Sequence, residues 1–401
     1  MGVLTILLYA SILLFPLGEV GRYIFPQLGT MSLLLNDVLV GVTVSVWVLI
    51  KIGGKEKIEG KLFLPIIFFL AACVVSLLVN SFVLTLPQVF ISSLYLIRWG
   101  VYTGLYFVVR NLHAKEKQRV RMLLFTAGQI TVLVGYIQFF IFPSLHSLYY
   151  LGWDEHLYRM FSVFLDPNFA GVFFMLIFFL SIGFGLTFYE KKQYVITVIF
   201  TVFALLDGIA LYLTYSRSGL LAFIVGVIVF FWLYGKKKFI AFSIIFIILA
   251  IFFSPKSFQT EGTNILRIAS TEARLDSSKW AVDIIVKNPV FGVGFNSYRY
   301  AQNRYGFLKG KYWEVSHAGA GTDNSYLFVF ATTGIVGFSL YLFLLIQICR
   351  LYLGKSKPTF FDIVTLASFL GVCVSSLFIN SLFYIFIMEW LWILIATTSE
   401  N

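Results

Sequence analysis

Long apolar blocks separated by short basic connections decide what this chain can fold into. Twelve can be marked, at about residues 2–17, 32–50, 62–79, 89–109, 121–142, 168–188, 194–213, 218–234, 239–253, 324–349, 361–379 and 382–397. Crossing the hydrocarbon layer takes an α-helix of roughly 20 apolar residues, and most of the blocks approach that length. A single spanning segment satisfies its own backbone polar groups in lipid only as a helix. Composition agrees: 59% of the residues are apolar and 12% charged, about half the charged share of a soluble domain. The expectation is an all-α polytopic membrane protein with about 12 transmembrane helices. The first block lacks the basic head and cleavage site of a secretory signal and is read as a retained helix.

The basic residues predict an orientation. Alternate connections, beginning with the one around Lys55, carry seventeen Lys and Arg, whereas the intervening short ones carry Arg22, Arg159 and Arg217. By the positive-inside rule both termini face the cytoplasm. Residues 254–323 then form an external loop subdomain, inserted between the ninth and tenth blocks of a single membrane domain spanning 1–401. Its own basic residues do not oppose this, because long loops translocate largely regardless of charge. The net charge of +11 does not imply nucleic acid, since its cations are dispersed among connections rather than gathered on one soluble face. Cys73, Cys349 and Cys373 fall within or at the end of apolar blocks. The loop therefore has neither a disulfide framework nor a thiolate zinc site.

Within the loop, Asp276, Lys279, Asp283 and Lys287 recur at helical spacing, with Trp280, Ala281, Val282, Ile284 and Ile285 filling the rest. This predicts a short helix at the membrane interface, ended by Asn288-Pro289, with Arg274 at its start. Arg217 stands in Thr-Tyr-Ser-Arg-Ser-Gly, a tight connection whose hydroxyls at Thr214, Ser216 and Ser218 would flank a bound anion. The planar guanidinium suits phosphate oxygens, although a headgroup anchor explains the same tract. Asp37, Arg98, Asp207 and Glu389 lie inside apolar blocks, where charges face a cavity or each other. Counting from the outer ends predicts a polar cavity opening outward, or else an Arg98–carboxylate pair. No phosphate-loop, zincin or nucleophile-elbow motif is present in the sequence, and His113, His146, His156 and His317 are too scattered for a metal centre.

Three tracts together resemble the bacterial O-antigen ligase and polysaccharide polymerase family. They are Arg159-Met-Phe-Ser-Val-Phe-Leu-Asp-Pro-Asn168, then Leu-Thr-Tyr-Ser-Arg217-Ser-Gly, then the stretch from Arg274 through Asn-Pro-Val-Phe-Gly-Val-Gly to Thr-Asp323-Asn324-Ser-Tyr-Leu and Thr-Gly-Ile-Val-Gly. Members of that family transfer a glycan from undecaprenyl pyrophosphate on the outer face of the cytoplasmic membrane. The resemblance implies that Arg217, Arg274 and Arg159 bind the pyrophosphate, with Asn168, Ser216, Asn324 and Arg98 in support and no metal or other cofactor. Where many members, ligases especially, have His-Asn, this chain has Asp323-Asn324. That favours Asp323 as the acceptor base, with His317 as the alternative and helix N-cap as the competing role for Asp323.

The departure favours a polymerase, which passes the glycan to a second lipid-linked repeat unit, over a ligase, which delivers it to lipid A core. The implied partners are the lipid-linked donor, a glycan acceptor and membrane lipids, with a flippase and a chain-length regulator as neighbours in the pathway. A transporter of lipid-linked sugars is the reading from another class. It would account for intramembrane charges, but the chain shows no paired, interrupted helices in two matching halves. A non-catalytic envelope scaffold would need no clustered arginines.

Overall fold

Residues 2–25, 31–151, 153–241, 243, 261–264, 269–309, 313 and 321–399 are described by the computed structural model. Among them thirteen α-helices form: α1 (Val3–Leu13), α2 (Leu35–Gly53), α3 (Phe63–Asn80), α4 (Leu86–Arg110), α5 (Ala114–Ile141), α6 (Pro167–Glu190), α7 (Tyr194–Leu213), α8 (Arg217–Leu233), α9 (Ala269–Lys287), α10 (Tyr298–Arg304), α11 (Ser325–Leu353), α12 (Phe360–Ser375) and α13 (Ile385–Thr398). Eleven of the twelve apolar blocks coincide with a helix. The block at 239–253 lies mostly outside the described residues.

Length and apolarity single out the candidate spans among the described residues. Six helices qualify, namely α2, α3, α5, α6, α7 and α11. A seventh qualifies if α1 and the short 3-10 helix Phe15–Gly21, bent from it by 66°, are taken as one. Helices α8, α12 and α13 are apolar but shorter, and α4 is long but carries Arg98 midway. The connection after α1 also holds an antiparallel pair of short strands, β1 (Arg22–Ile24) and β2 (Ser32–Leu34). The hydropathy pattern gave no sign of it, because β2 merges with the apolar run of α2.

Two helices form the centre. Helix α6 is apolar around its whole circumference, which marks a buried helix, and 78% of its apolar window is enclosed. It lies against α7, α8 and α12. Helix α13 is buried from Phe386 to Thr397, with Trp390 edge-on to Phe15 and Phe173.

Helix α11 is broken at Gly334, whose φ of 65° and ψ of −169° are open only to glycine. A break frees backbone groups that the membrane interior will not tolerate unpaired. The segment after α9 supplies their partners. Val293 and Gly294 donate to the carbonyls of Ala331 and Thr332 at 3.0 and 3.1 Å, while Ile335 donates to the carbonyl of Pro289 at 2.8 Å. Ser76 and Asn80 of α3 close the join by donating to the carbonyls of Phe291 and Gly292 at 2.6 and 3.0 Å. A Cβ at Gly334 would stand 2.1 Å from the Val290 carbonyl oxygen, so the close approach requires glycine. The Asn-Pro-Val-Phe-Gly-Val-Gly tract thereby fixes α9 to the N-terminal part of α11, at its break.

The described part of 254–323 is helical in α9 and α10. Helix α9 begins at Ala269, so Arg274 lies in its second turn rather than at its start. Ala281, Ile284 and Ile285 face inward, while Leu275, Val282 and Val286 are exposed. Asp276 and Lys279 pair at 3.0 Å on the exposed face.

A candidate active site where three helix N-termini meet

Helices α6, α8 and α11 each begin with a polar side chain folded back onto freed backbone N–H groups. Asp166 precedes Pro167 and accepts from the N–H of Asn168 at 2.6 Å. Ser216 Oγ accepts from the N–H of Gly219 at 3.1 Å. Asn324 Oδ1 accepts from the N–H groups of Tyr326 and Leu327 at 2.9 and 3.0 Å. The N-cap of α11 is therefore Asn324, and Asp323 is released from that role.

A cavity of about 360 Å³ opens beside these termini, lined by Arg217 and Ser218 from α8, Arg274 and Ser278 from α9, and Asp323. Leu221, Leu275, Leu377 and Phe378 supply its apolar wall. Arg217 and Arg274, 57 positions apart in sequence, are brought together because α9 is fastened to the break in α11. Burial lowers the Arg274 guanidinium below its ordinary value. Asp323 opposes that effect, Arg217 adds to it as a like charge, and Asp166 opposes it. The Asp323 side chain is exposed on the cavity, yet desolvation by the surrounding protein still leads in raising its carboxyl above the usual range. Arg274 pulls it back down and Asp166 pushes it further up. Burial also raises the Tyr298 phenol, and Asp323 adds to that rise.

The other predicted site residues fall in a supporting layer, in a different place, or outside the described residues. Arg159 is buried and does not line the cavity. Its Nε donates to the Thr214 carbonyl at 2.9 Å, and an Nη reaches Asn168 Oδ1 at 3.4 Å. Asn168 Oδ1 also lies 3.4 Å from Ser216 Oγ. Arg159 and Asn168 thus brace the turn before α8 rather than face the space. Asn324 donates from Nδ2 to the Leu377 carbonyl at 3.0 Å, tying the start of α11 to the end of α12. His317 lies outside the described residues.

Arg98 is elsewhere. It pairs with Asp37 at 2.8 Å and donates to the Ser32 carbonyl, and Tyr102 donates to Asp37 at 3.0 Å. Glu389 accepts from Asn36 at 2.9 Å. Asp207 accepts from Ser181 at 2.7 Å and from Gln129 at 3.1 Å. Asp37 and Arg98, with Tyr102, line a cavity of about 210 Å³ separate from the arginine cavity, and Asp207 and Glu389 do not line it. Each of the four has a side-chain partner nearby, as low dielectric demands of buried charge, although Glu389 Oε1 is buried without a hydrogen-bond partner among the described residues; none lines the arginine cavity.

Sequence reasoning passed over Asp166 as a functional residue. Its signal was the Asp-Pro pair, an N-cap residue followed by proline at the first helical position, which marks a helix start but not what lies in front of it. Among the described residues no cluster of three or more potential metal ligands occurs.

Two oppositely charged elements are set against one apolar-walled space. The guanidiniums and the α8 terminus suit phosphate oxygens. A raised carboxyl across the space suits removal of a proton from a hydroxyl.

Residues 200–342 match the family model of the O-antigen ligase. The match runs from α7 to the middle of α11, so it contains Arg217, Arg274 and Asp323 but not Arg98, Arg159 or Asn168. No curated protein matches the chain.

Proposed function

Residues 200–342 belong to the O-antigen ligase family, and from that premise we propose that the chain is a membrane glycosyltransferase of polysaccharide polymerase type. It transfers a glycan from undecaprenyl pyrophosphate to a hydroxyl of a second lipid-linked repeat unit, on the outer face of the cytoplasmic membrane. The observation that carries this reading is the meeting of Arg217, Arg274 and Asp323 in one cavity.

The chemistry follows from those groups. The pyrophosphate sits against Arg217 and Arg274. The acceptor hydroxyl attacks the anomeric carbon, the bond from that carbon to the pyrophosphate oxygen breaks, and the hydroxyl proton passes to the Asp323 carboxylate. Undecaprenyl pyrophosphate leaves with the bonding electrons, and the arginines stabilise the charge that develops on it. Arg159, Asn168 and Ser216 hold the turn that aims Arg217, and Asn324 holds the helix start beside Asp323.

Asp323 in place of a histidine supports polymerase over ligase. Delivery to lipid A core is the second reading, with His317 as base. A transporter has less in its favour, because Arg98, Asp37, Asp207 and Glu389 each have a hydrogen-bonding side-chain neighbour and none of them lines the cavity where Arg217, Arg274 and Asp323 meet.

The purified protein, in detergent and without a gradient, is given a lipid-linked repeat unit. Longer lipid-linked chains and free undecaprenyl pyrophosphate are expected. Movement of the intact glycan across a sealed bilayer, with no transfer in detergent, would refute the enzymatic reading.

A further inference from the structure

A second cavity, of about 630 Å³, lies at the far end of α12 from the arginine cavity. The sixteen residues of α12 separate the two by about 24 Å. Its walls come from the starts of α5 and α12, the ends of α6 and α13, and the connection before α12.

Four cations, Arg121, Lys191, Lys355 and Lys357, and two carboxylates, Glu190 and Asp362, line it. Lys355 is committed to Asp362 at 2.7 Å and to the Thr398 carbonyl at 3.1 Å. The remaining cations are less occupied. Arg121 donates once, to the Thr397 carbonyl at 3.0 Å, and its guanidinium lies 4.4 Å from the Phe361 ring centroid. The buried Arg121 Nε has no hydrogen-bond partner among the described residues. Lys191 rests over the Phe188 ring at 5.7 Å. Neither Lys191 nor Lys357 forms an ion pair among the described residues. The cavity thus has positive charge left over after internal pairing, beside a wall of phenylalanine.

An anion joined to an apolar chain complements both features, whereas a free anion would leave the phenylalanine wall unused. Basic pockets between membrane helices take anionic lipid headgroups on this basis. The volume lies within the range of ligand clefts, about 300–1,000 Å³. We propose that this cavity holds the headgroup phosphate of an anionic phospholipid, with Arg121, Lys191 and Lys357 around the phosphate and the phenylalanines against the first acyl carbons. The site stands apart from the arginine cavity and does not depend on the glycan chemistry.

The test titrates purified protein in a neutral detergent with phosphatidylglycerol, and separately with phosphatidylcholine of the same chains, and counts bound lipid by native mass spectrometry. Lys191→Gln combined with Lys357→Gln removes two exposed cations. It should weaken phosphatidylglycerol binding by about thirtyfold, leaving phosphatidylcholine binding and the lipid-free thermal midpoint unchanged. Equal phosphatidylglycerol affinity in variant and wild type would overturn the proposal. So would glycerol phosphate binding as tightly as phosphatidylglycerol, because the site would then take a free anion and owe nothing to the acyl chains.

Discussion

Replacing Asp323 by Asn tests the base role without disturbing the helix start beside it. The cap of α11 is Asn324, which accepts two backbone N–H groups and donates to Leu377. Removing that cap in Asn324→Ala should cost about 1–2 kcal/mol. Asp323 makes no such contact, and an exposed substitution of similar shape should stay within about 0.5 kcal/mol. A lost general base, by contrast, lowers a rate by roughly 10²–10⁴-fold. The two effects are therefore separable in one protein preparation. Thermal unfolding should show Asp323→Asn close to wild type and Asn324→Ala lowered. Single-turnover transfer from a lipid-linked repeat unit should fall by about two orders of magnitude or more in Asp323→Asn. A near-normal rate would remove Asp323 as the base. If His317→Gln abolished transfer in the same assay, the proton would belong to that histidine, and the argument for a polymerase over a ligase would lose its basis.

Arg217→Ala and Arg274→Ala should each nearly abolish transfer while leaving abundance unchanged, with Lys restoring only part because it lacks the bidentate fork; normal polymer from both Ala variants would sink the clamp. The base form of Asp323 exists only above its pKa, which desolvation and Asp166 raise, so the acidic limb of the transfer rate should lie above the ordinary carboxylate value of about 3.9. Asp166→Asn keeps a capping oxygen and removes a charge that raises Asp323, so it should move that limb towards lower pH; an unmoved limb would detach Asp166 from the site. Gly334→Ala brings a methyl group against the Val290 carbonyl and a backbone region closed to alanine, so it should lower stability by about 1–3 kcal/mol or more, read as a fall in thermal midpoint. In intact cells of a variant without native cysteines, an impermeant thiol reagent should label position 262 and not position 56; the opposite pattern would reverse the orientation and the external chemistry.

Much of the helical layout was legible because its cause is local. Apolar runs of spanning length have one stable backbone in lipid, so their positions could be read with ends a few residues adrift. Helix α5 begins seven residues before the apolar block at 121, because its first two turns are basic and polar and carry no hydropathy signal. The break at Gly334 was not legible, since the run around it stays apolar and only the approach of Pro289–Val293 gives the glycine its purpose. The four intramembrane charges were found from sequence, and so was the option of an Arg98–carboxylate pair, but not which carboxylate takes part or how Asp207 and Glu389 are bonded. Pairing Arg98 with Asp37 and Glu389 with Asn36 depends on which helices are neighbours, and hydropathy is silent on that. Three of the site residues, Arg217, Arg274 and Asp323, could be picked out by type and tract, while their meeting depends on the α9–α11 join.

The placement of Arg217 bears on how strongly the arginine cavity should prefer an anion. It occupies the first position of α8, where the helix dipole already presents about half a positive charge. A cation there is at the unfavourable end of its own helix, and Arg274 adds a second like charge across the space. Asp166 and Asp323, at the starts of α6 and α11, are by the same rule at the favourable ends of theirs. Asp323 and Asp166 offset part of the charge at Arg274. A bound pyrophosphate would sit between the two guanidiniums and the α8 terminus, relieving their mutual repulsion where the carboxylates only dilute it. The unfavourable charge placement is thus built into the fold, and an anion bound between the guanidiniums would remove it. A headgroup anchor would not require such an arrangement, because a surface arginine gains as much from the last turn of a helix as it loses at the first.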